Sequence, residues 1–155
     1  MKALLNGLNL KIRFKMEKEV FRSKYAIANY DGQFELYTLI FQHETEKMTD
    51  KEWKELMLSL LEITETYKPK YIIDDNSERM YAYPPDMQAW TLEVFINNWN
   101  KNGLKKYVQI LPTDIINQIS AEQILELGNT EFSPKFKNKF VANFDEALKW
   151  IREPE

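Results

Sequence analysis

Residues 71–99, YIIDDNSERMYAYPPDMQAWTLEVFINNW, decide the fold. Tyr71-Ile72-Ile73 is a short apolar run suited to a buried strand. Residues 74–83 make a polar and aromatic loop. Pro84-Pro85 then open a helix at a position where a missing amide costs nothing. In that helix Met87, Trp90, Thr91 and Val94 share one face, and Leu92, Phe95, Ile96 and Trp99 share another. So wide an apolar surface predicts a helix buried on more than one side. Strand, loop and helix together form one unit of an α/β fold, and the crevice beyond a strand end is where ligands and partners usually sit.

Working outward, Gly103 suits the C′ position of this helix, with Leu104 folding back as its hydrophobic contact. Residues 106–111 read as the next strand, stopped by Pro112. Thr113 is expected to cap a short helix over 114–119. Ser120 and Gln123 form a capping box for a second helix to Leu127, closed by Gly128. Residues 136–142 make a last strand, and Asn143 with Glu146 caps a final helix through Ile151. Upstream, residues 19–30 and 33–42 are rich in β-branched and aromatic residues. Asp31-Gly32 between them predicts a two-residue hairpin with positive φ at both turn positions. Thr49 and Glu52 form a capping box for a helix to about Tyr67, with Trp53, Leu56, Met57, Leu60, Leu61 and Thr64 along its apolar face. Lys68-Pro69 ends it.

The expected fold is therefore α/β, a mixed sheet of four to five strands, with an N-terminal β-hairpin followed by β-α units. Residues 19–152 read as a single domain and residues 1–18 as a weakly patterned N-terminal arm.

Composition narrows the function classes. The chain has 155 residues, 44% hydrophobic and 29% charged, with a net charge of −3, which describes a globular domain. The acidic balance counts against nucleic acid as a partner, and Lys135, Lys137 and Lys139 read as one solvated strand face. The absence of cysteine removes disulfides, thiolate metal sites and thiol nucleophiles. No uninterrupted apolar run of about 18 residues is present, so no membrane span is expected. Residues 1–15 do not resemble a secretory leader, which makes a cytoplasmic location the expectation.

Catalytic signals are weak. The four glycines, Gly7, Gly32, Gly103 and Gly128, are scattered, so no phosphate-cradling loop forms. His43, the only histidine, lies in a polar connection with Glu44 and Glu46, too sparse a set for a metal site. Asp74-Asp75 at a strand end could hold Mg²⁺, but the plainer reading is that they accept backbone amides in the loop. Glu78, Asp86 and Glu93 have no spacing that fixes a carboxylate pair. Neither a cofactor nor an enzyme activity is expected. The better candidates are aromatic: Tyr81, Tyr83 and Trp90 either roof the core or wall a pocket or interface.

Three segments carry a resemblance: MTDKEWKELMLSLLEITETYKPKYIIDD (48–75), PPDMQAWTLEVFINNWNKNGLKKYVQILP (84–112), and SAEQILEL (120–127) with NFDEALKWI (143–151). Together they resemble a group of small bacterial proteins, common among Bacteroidetes, with a STAS-like (anti-sigma-factor-antagonist-like) fold. The resemblance implies a domain that acts by binding a protein or a small ligand. Regulatory members of that fold carry Asp-x-Ser at a strand end and Asp-Ser-Ser at the following helix start. Asp75-Asn76-Ser77 matches the first. The serine positions of the second fall on Pro84 and Pro85, which cannot accept a phosphoryl group, so the phosphorylation switch is not expected.

The leading expectation is a non-enzymatic protein-interaction or regulatory module, self-association included. The alternative is a carrier or sensor for a small, apolar ligand. The candidate binding residues are Asp75, Ser77, Tyr81, Tyr83, Asp86, Met87 and Trp90.

Overall fold

The computed structural model describes residues 17–82 and 84–155. The chain forms a six-stranded sheet in strictly sequential order, with strands β1 (Glu17–Arg22), β2 (Ala26–Asp31), β3 (Leu36–Phe41), β4 (Tyr71–Asp75), β5 (Lys106–Ile110) and β6 (Lys137–Val141). The first three strands pair antiparallel, and β3 through β6 pair parallel. Helices α1 (Asp50–Tyr67), α2 (Pro85–Asn102) and α3 (Ile115–Glu131) connect the parallel strands, and α4 (Phe144–Arg152) follows β6. The α/β class is as expected, but the sheet has one strand more than expected.

The extra strand comes from residues 19–30, which fold back on themselves. Ser23 Oγ accepts from the amides of Tyr25 and Ala26 at 3.1 and 3.3 Å, and the Ser23 amide donates to the Ala26 carbonyl. This serine turn splits the run into β1 and β2. The Asp31-Gly32 turn also differs from expectation. Asp31 pairs with Leu36 across a four-residue loop, and the Asp31 carboxylate accepts from the amides of Gln33 and Phe34. The positive φ falls on Glu35 at 52°, not on Gly32. Residues 43–47 add a short 3₁₀ turn.

Elsewhere the local signals hold. The Thr49–Glu52 capping box is complete, and Trp53, Leu56, Met57, Leu60 and Thr64 are buried along α1. Gly103 adopts φ 77° and closes α2, while the Leu104 amide reaches back to the Trp99 carbonyl. Asn143 accepts from the Glu146 amide at the start of α4. Between Pro112 and Phe132, however, there is one continuous helix. Asp114, not Thr113, accepts from the Ile116 amide at its start, and Ser120 and Gly128 lie within it. Gly128 does not end the helix. A Cβ there would stand 3.1 Å from Leu92 Cδ2 and 3.3 Å from Ile96 Cδ1, so glycine is what lets α3 lie close to α2.

The sheet's two faces bury different cores. Tyr37, Leu39, Phe41, Ile72 and Tyr107 face α1, α2 and α3, in one cluster with Trp53, Leu60, Phe95 and Ile96. Leu36, Ile73, Val108, Ile110 and Val141 pack against Ala147, Leu148 and Ile151 of α4. Strand β5 is buried along its whole length, as an interior parallel strand covered by helices on both faces is expected to be. Its Lys106 is buried too. The ammonium donates to the Trp150 and Glu153 carbonyls at 3.0 and 2.6 Å, satisfying the end of α4 where a cation is favoured. Lys137 and Lys139 are exposed on the edge strand β6, where charge discourages further strand addition.

Candidate functional site

Parallel pairing sets Leu39, Asp74, Gln109 and Phe140 in one row across the sheet, and Tyr37, Ile72, Tyr107 and Asn138 in the next. Because side chains alternate along a strand, both rows face the three-helix layer. A cavity of about 100 Å³ lies between these rows and the helices. Its apolar walls include Leu39 and Phe41 of β3, Met57 and Leu60 of α1, Phe95 and Ile96 of α2, and Leu125 of α3. At its β5–β6 side, Trp99 packs against Tyr107 at 4.9 Å and Phe136 at 5.6 Å between ring centres. The rim there carries Asn129 and Asn138, whose side-chain amides donate to each other at 3.1 and 2.7 Å.

The cavity also has a polar end formed by Asp74, Arg79 and Gln109. Tyr107 Oη donates to Asp74 Oδ2 at 2.5 Å. Asp74 Oδ1 is buried and makes no close hydrogen bond among the described residues. The neighbouring Asn76 side-chain amide donates to the Asp74 backbone carbonyl at 3.2 Å and lies near enough to the carboxyl to favour its ionised form. Burial pushes the Asp74 carboxyl up to about 6, against the lowering effects of the Tyr107 and Asn76 groups and the Arg79 charge. Tyr37, on the adjacent row, is raised by its own burial and by the Asp74 charge, and its hydroxyl lacks a partner among the described residues.

Arg79 comes from the β4–α2 loop and is fully buried. Its Nε donates to Asn76 Oδ1 and its Nη1 to the Tyr81 carbonyl, both at 2.6 Å. The loop is tied on two sides. The Met80 amide donates to Thr45 Oγ1, and the Thr113 amide donates to the Ser77 carbonyl. The guanidinium is thus a structural strut as well as a charge beside the cavity.

Of the seven residues singled out from the sequence, the six that the structure describes do not line this cavity. Asp75 accepts from the Ser77 amide at 3.0 Å and from its hydroxyl at 2.6 Å, which is the loop-capping role. Tyr81 is buried, stacks on Trp53 at 4.5 Å between ring centres, and donates to Asp50. Met87 is buried in the core. Trp90 is half-buried beneath the Lys54 ammonium, 5.4 Å from the ring centre. Asp86 is exposed in the first turn of α2. Tyr83 and the expected arm up to residue 16 lie outside the described residues. Exposed His43 sits 3.6 Å from Glu44. Among the described residues no group of acidic or histidine side chains could hold a metal ion, and no helix is long and apolar enough to cross a membrane.

Arg79, Trp99, Tyr107 and Gln109 were not singled out as site residues. The only sequence signal for Gln109 is a polar residue inside the apolar strand KYVQI. Arg79 carries none, because charged loop residues are ordinarily solvated. Compared with family models, with curated proteins and with solved structures, the chain matches none.

Proposed function

We propose that this domain binds a small, largely apolar molecule between its sheet and its three-helix layer, as a carrier or sensor and not as an enzyme. The observation that carries the reading is the cavity itself, lined mostly by apolar side chains with one polar end at Asp74 and Arg79. Ligand sites commonly combine such walls with a few convergent polar groups. Its volume is of the order of an engineered apolar cavity that takes up benzene, about 150 Å³. The test is a titration of methyl-labelled protein with cyclohexane followed by NMR. Binding shifts the methyls of Leu39, Leu60, Leu92, Ile96 and Leu125; unchanged methyls up to the solubility of cyclohexane overturn the reading.

The other expectation, a STAS-like protein-interaction module, draws its support from Ile115, Ile116 and Ile119, which are 70%, 74% and 51% exposed at the start of α3. Self-association through this patch predicts a concentration-dependent sedimentation coefficient that triple substitution to serine abolishes. Identical behaviour of the two proteins removes it.

A further inference from the structure

We infer that the cavity takes a small apolar ring carrying one lactam-type edge, a donor and an acceptor side by side, and that the side chain of Gln109 receives that edge. The inference rests on the ligand-binding reading above and adds the receiving residue and the chemistry it selects. Gln109 lies on the inner face of β5, in one row with Leu39, Asp74 and Phe140, and it lines the cavity. The residue is 9% exposed. Its side-chain amide has no hydrogen-bond partner among the described residues, yet neither Oε1 nor Nε2 is sealed from solvent as Asp74 Oδ1 is. The surface left to this otherwise buried residue therefore includes its amide, on the side of the sheet where the cavity lies.

The neighbouring polar side chains of the cavity wall are engaged. Asp74 accepts from Tyr107, and Arg79 donates to Asn76 and to the Tyr81 carbonyl. Thr91 accepts from the Trp53 indole at 3.3 Å, and Asn129 and Asn138 bond to each other. Among the described residues of the wall, Gln109 alone brings both an uncommitted donor and an uncommitted acceptor. A primary amide is fully matched by another amide edge, as Asn129 and Asn138 match each other at 3.1 and 2.7 Å. A ketone would answer only Nε2 and a hydrocarbon neither atom, leaving a buried polar group unpaired at a cost. A carboxylic acid offers the same edge only while protonated. Once ionised it would stand beside the carboxylate of Asp74, the register partner of Gln109 on β4, and like charges disfavour each other.

The test is titration of the whole nitrogen-15-labelled protein at neutral pH with δ-valerolactam and cyclohexanone, followed by NMR. The two probes are rings of one size that differ in the N–H. Because the ketone leaves Gln109 Oε1 without a donor, the lactam binds about tenfold tighter, and it shifts the Gln109 side-chain amide resonances. In Gln109→Leu the order of the two probes reverses. The ranking and the resonance shift on the unaltered protein stand as a test even where that variant fails to fold. Cyclohexanone matching or exceeding the lactam, a lactam that binds without moving the Gln109 amide, or a lactam that keeps its advantage in Gln109→Leu overturns the inference and leaves the apolar-ligand reading standing. Silence of both probes also overturns the inference, and silent methyls under cyclohexane as well overturn both readings.

Discussion

Replacing Asp74 by asparagine should stabilise this protein, and only above the acid range. In the unfolded chain the carboxyl ionises at its ordinary value of 3.8, and in the folded protein burial holds it near 6. Below both values the group is protonated in either state and contributes no pH dependence. As the pH rises from 3.8 toward 6 the unfolded chain gives up its proton first, so folding loses stability. Above 6 the loss is complete. At 1.36 kcal/mol per unit, a shift from 3.8 to about 6 corresponds to about 3 kcal/mol. Asparagine keeps the shape and cannot ionise. Any cost of its own amide is independent of pH and appears as a constant offset. The assay is thermal unfolding followed by circular dichroism, for both proteins, from about pH 4 to about pH 7. Relative to the variant, the unaltered protein should lose stability across that window, by about 6–12 °C in Tm for a domain of this size. Parallel curves, or a relative gain by the unaltered protein as the pH rises, would refute the reasoning.

Three further substitutions test the scaffold. Arg79→Met removes the donor to Asn76 Oδ1 and the Tyr81 carbonyl and the charge beside Asp74. It should cost about 3–5 kcal/mol in urea unfolding, as breaking buried charge networks does, and should move the Asp74 carboxyl resonance titration still higher in carbon-13 NMR. Thr49→Ala breaks the capping box of α1 and should cost about 1 kcal/mol by the same denaturation assay. Gly103→Ala places a Cβ at φ 77° and 3.2 Å from Lys70 Nζ. The lysine can move but the backbone cannot, so a loss of about 1 kcal/mol is expected.

What the sequence disclosed was local and periodic. The α1 stripe, its Thr49–Glu52 box, the Gly103 stop and the Asn143 cap each depend on residues within one or two turns, so the chain alone determines them. The misread turns share another cause. Ser23 reverses the chain through its hydroxyl without a glycine, proline or asparagine to mark it. Asp31 organises its loop through a side-chain oxygen, leaving Gly32 without the expected left-handed role. Ser120 and Gly128 carry the residue types of helix ends, but one is an interior residue and the other a contact with Leu92 and Ile96 that exists only after α2 and α3 meet. The cavity was hidden for the same reason. Its walls come from all three covering helices and four strands, and its polar end joins Asp74 to Tyr107 across 33 residues of sequence. The crevice reading pointed to the strand end and loop that also carry Asp74 and Arg79, but it selected neighbouring residues of that loop and helix start, whereas Asp74 and Arg79 line the cavity.

The most direct test of the central claim is a crystal structure determined under xenon pressure. Xenon enters apolar cavities without needing a polar contact, so it tests the space itself. The account predicts an ordered xenon atom among Leu39, Leu60, Phe95 and Ile96, with the Asp74–Tyr107 hydrogen bond undisturbed. Side chains collapsed into that space, with no xenon density between the sheet and α2, would contradict it.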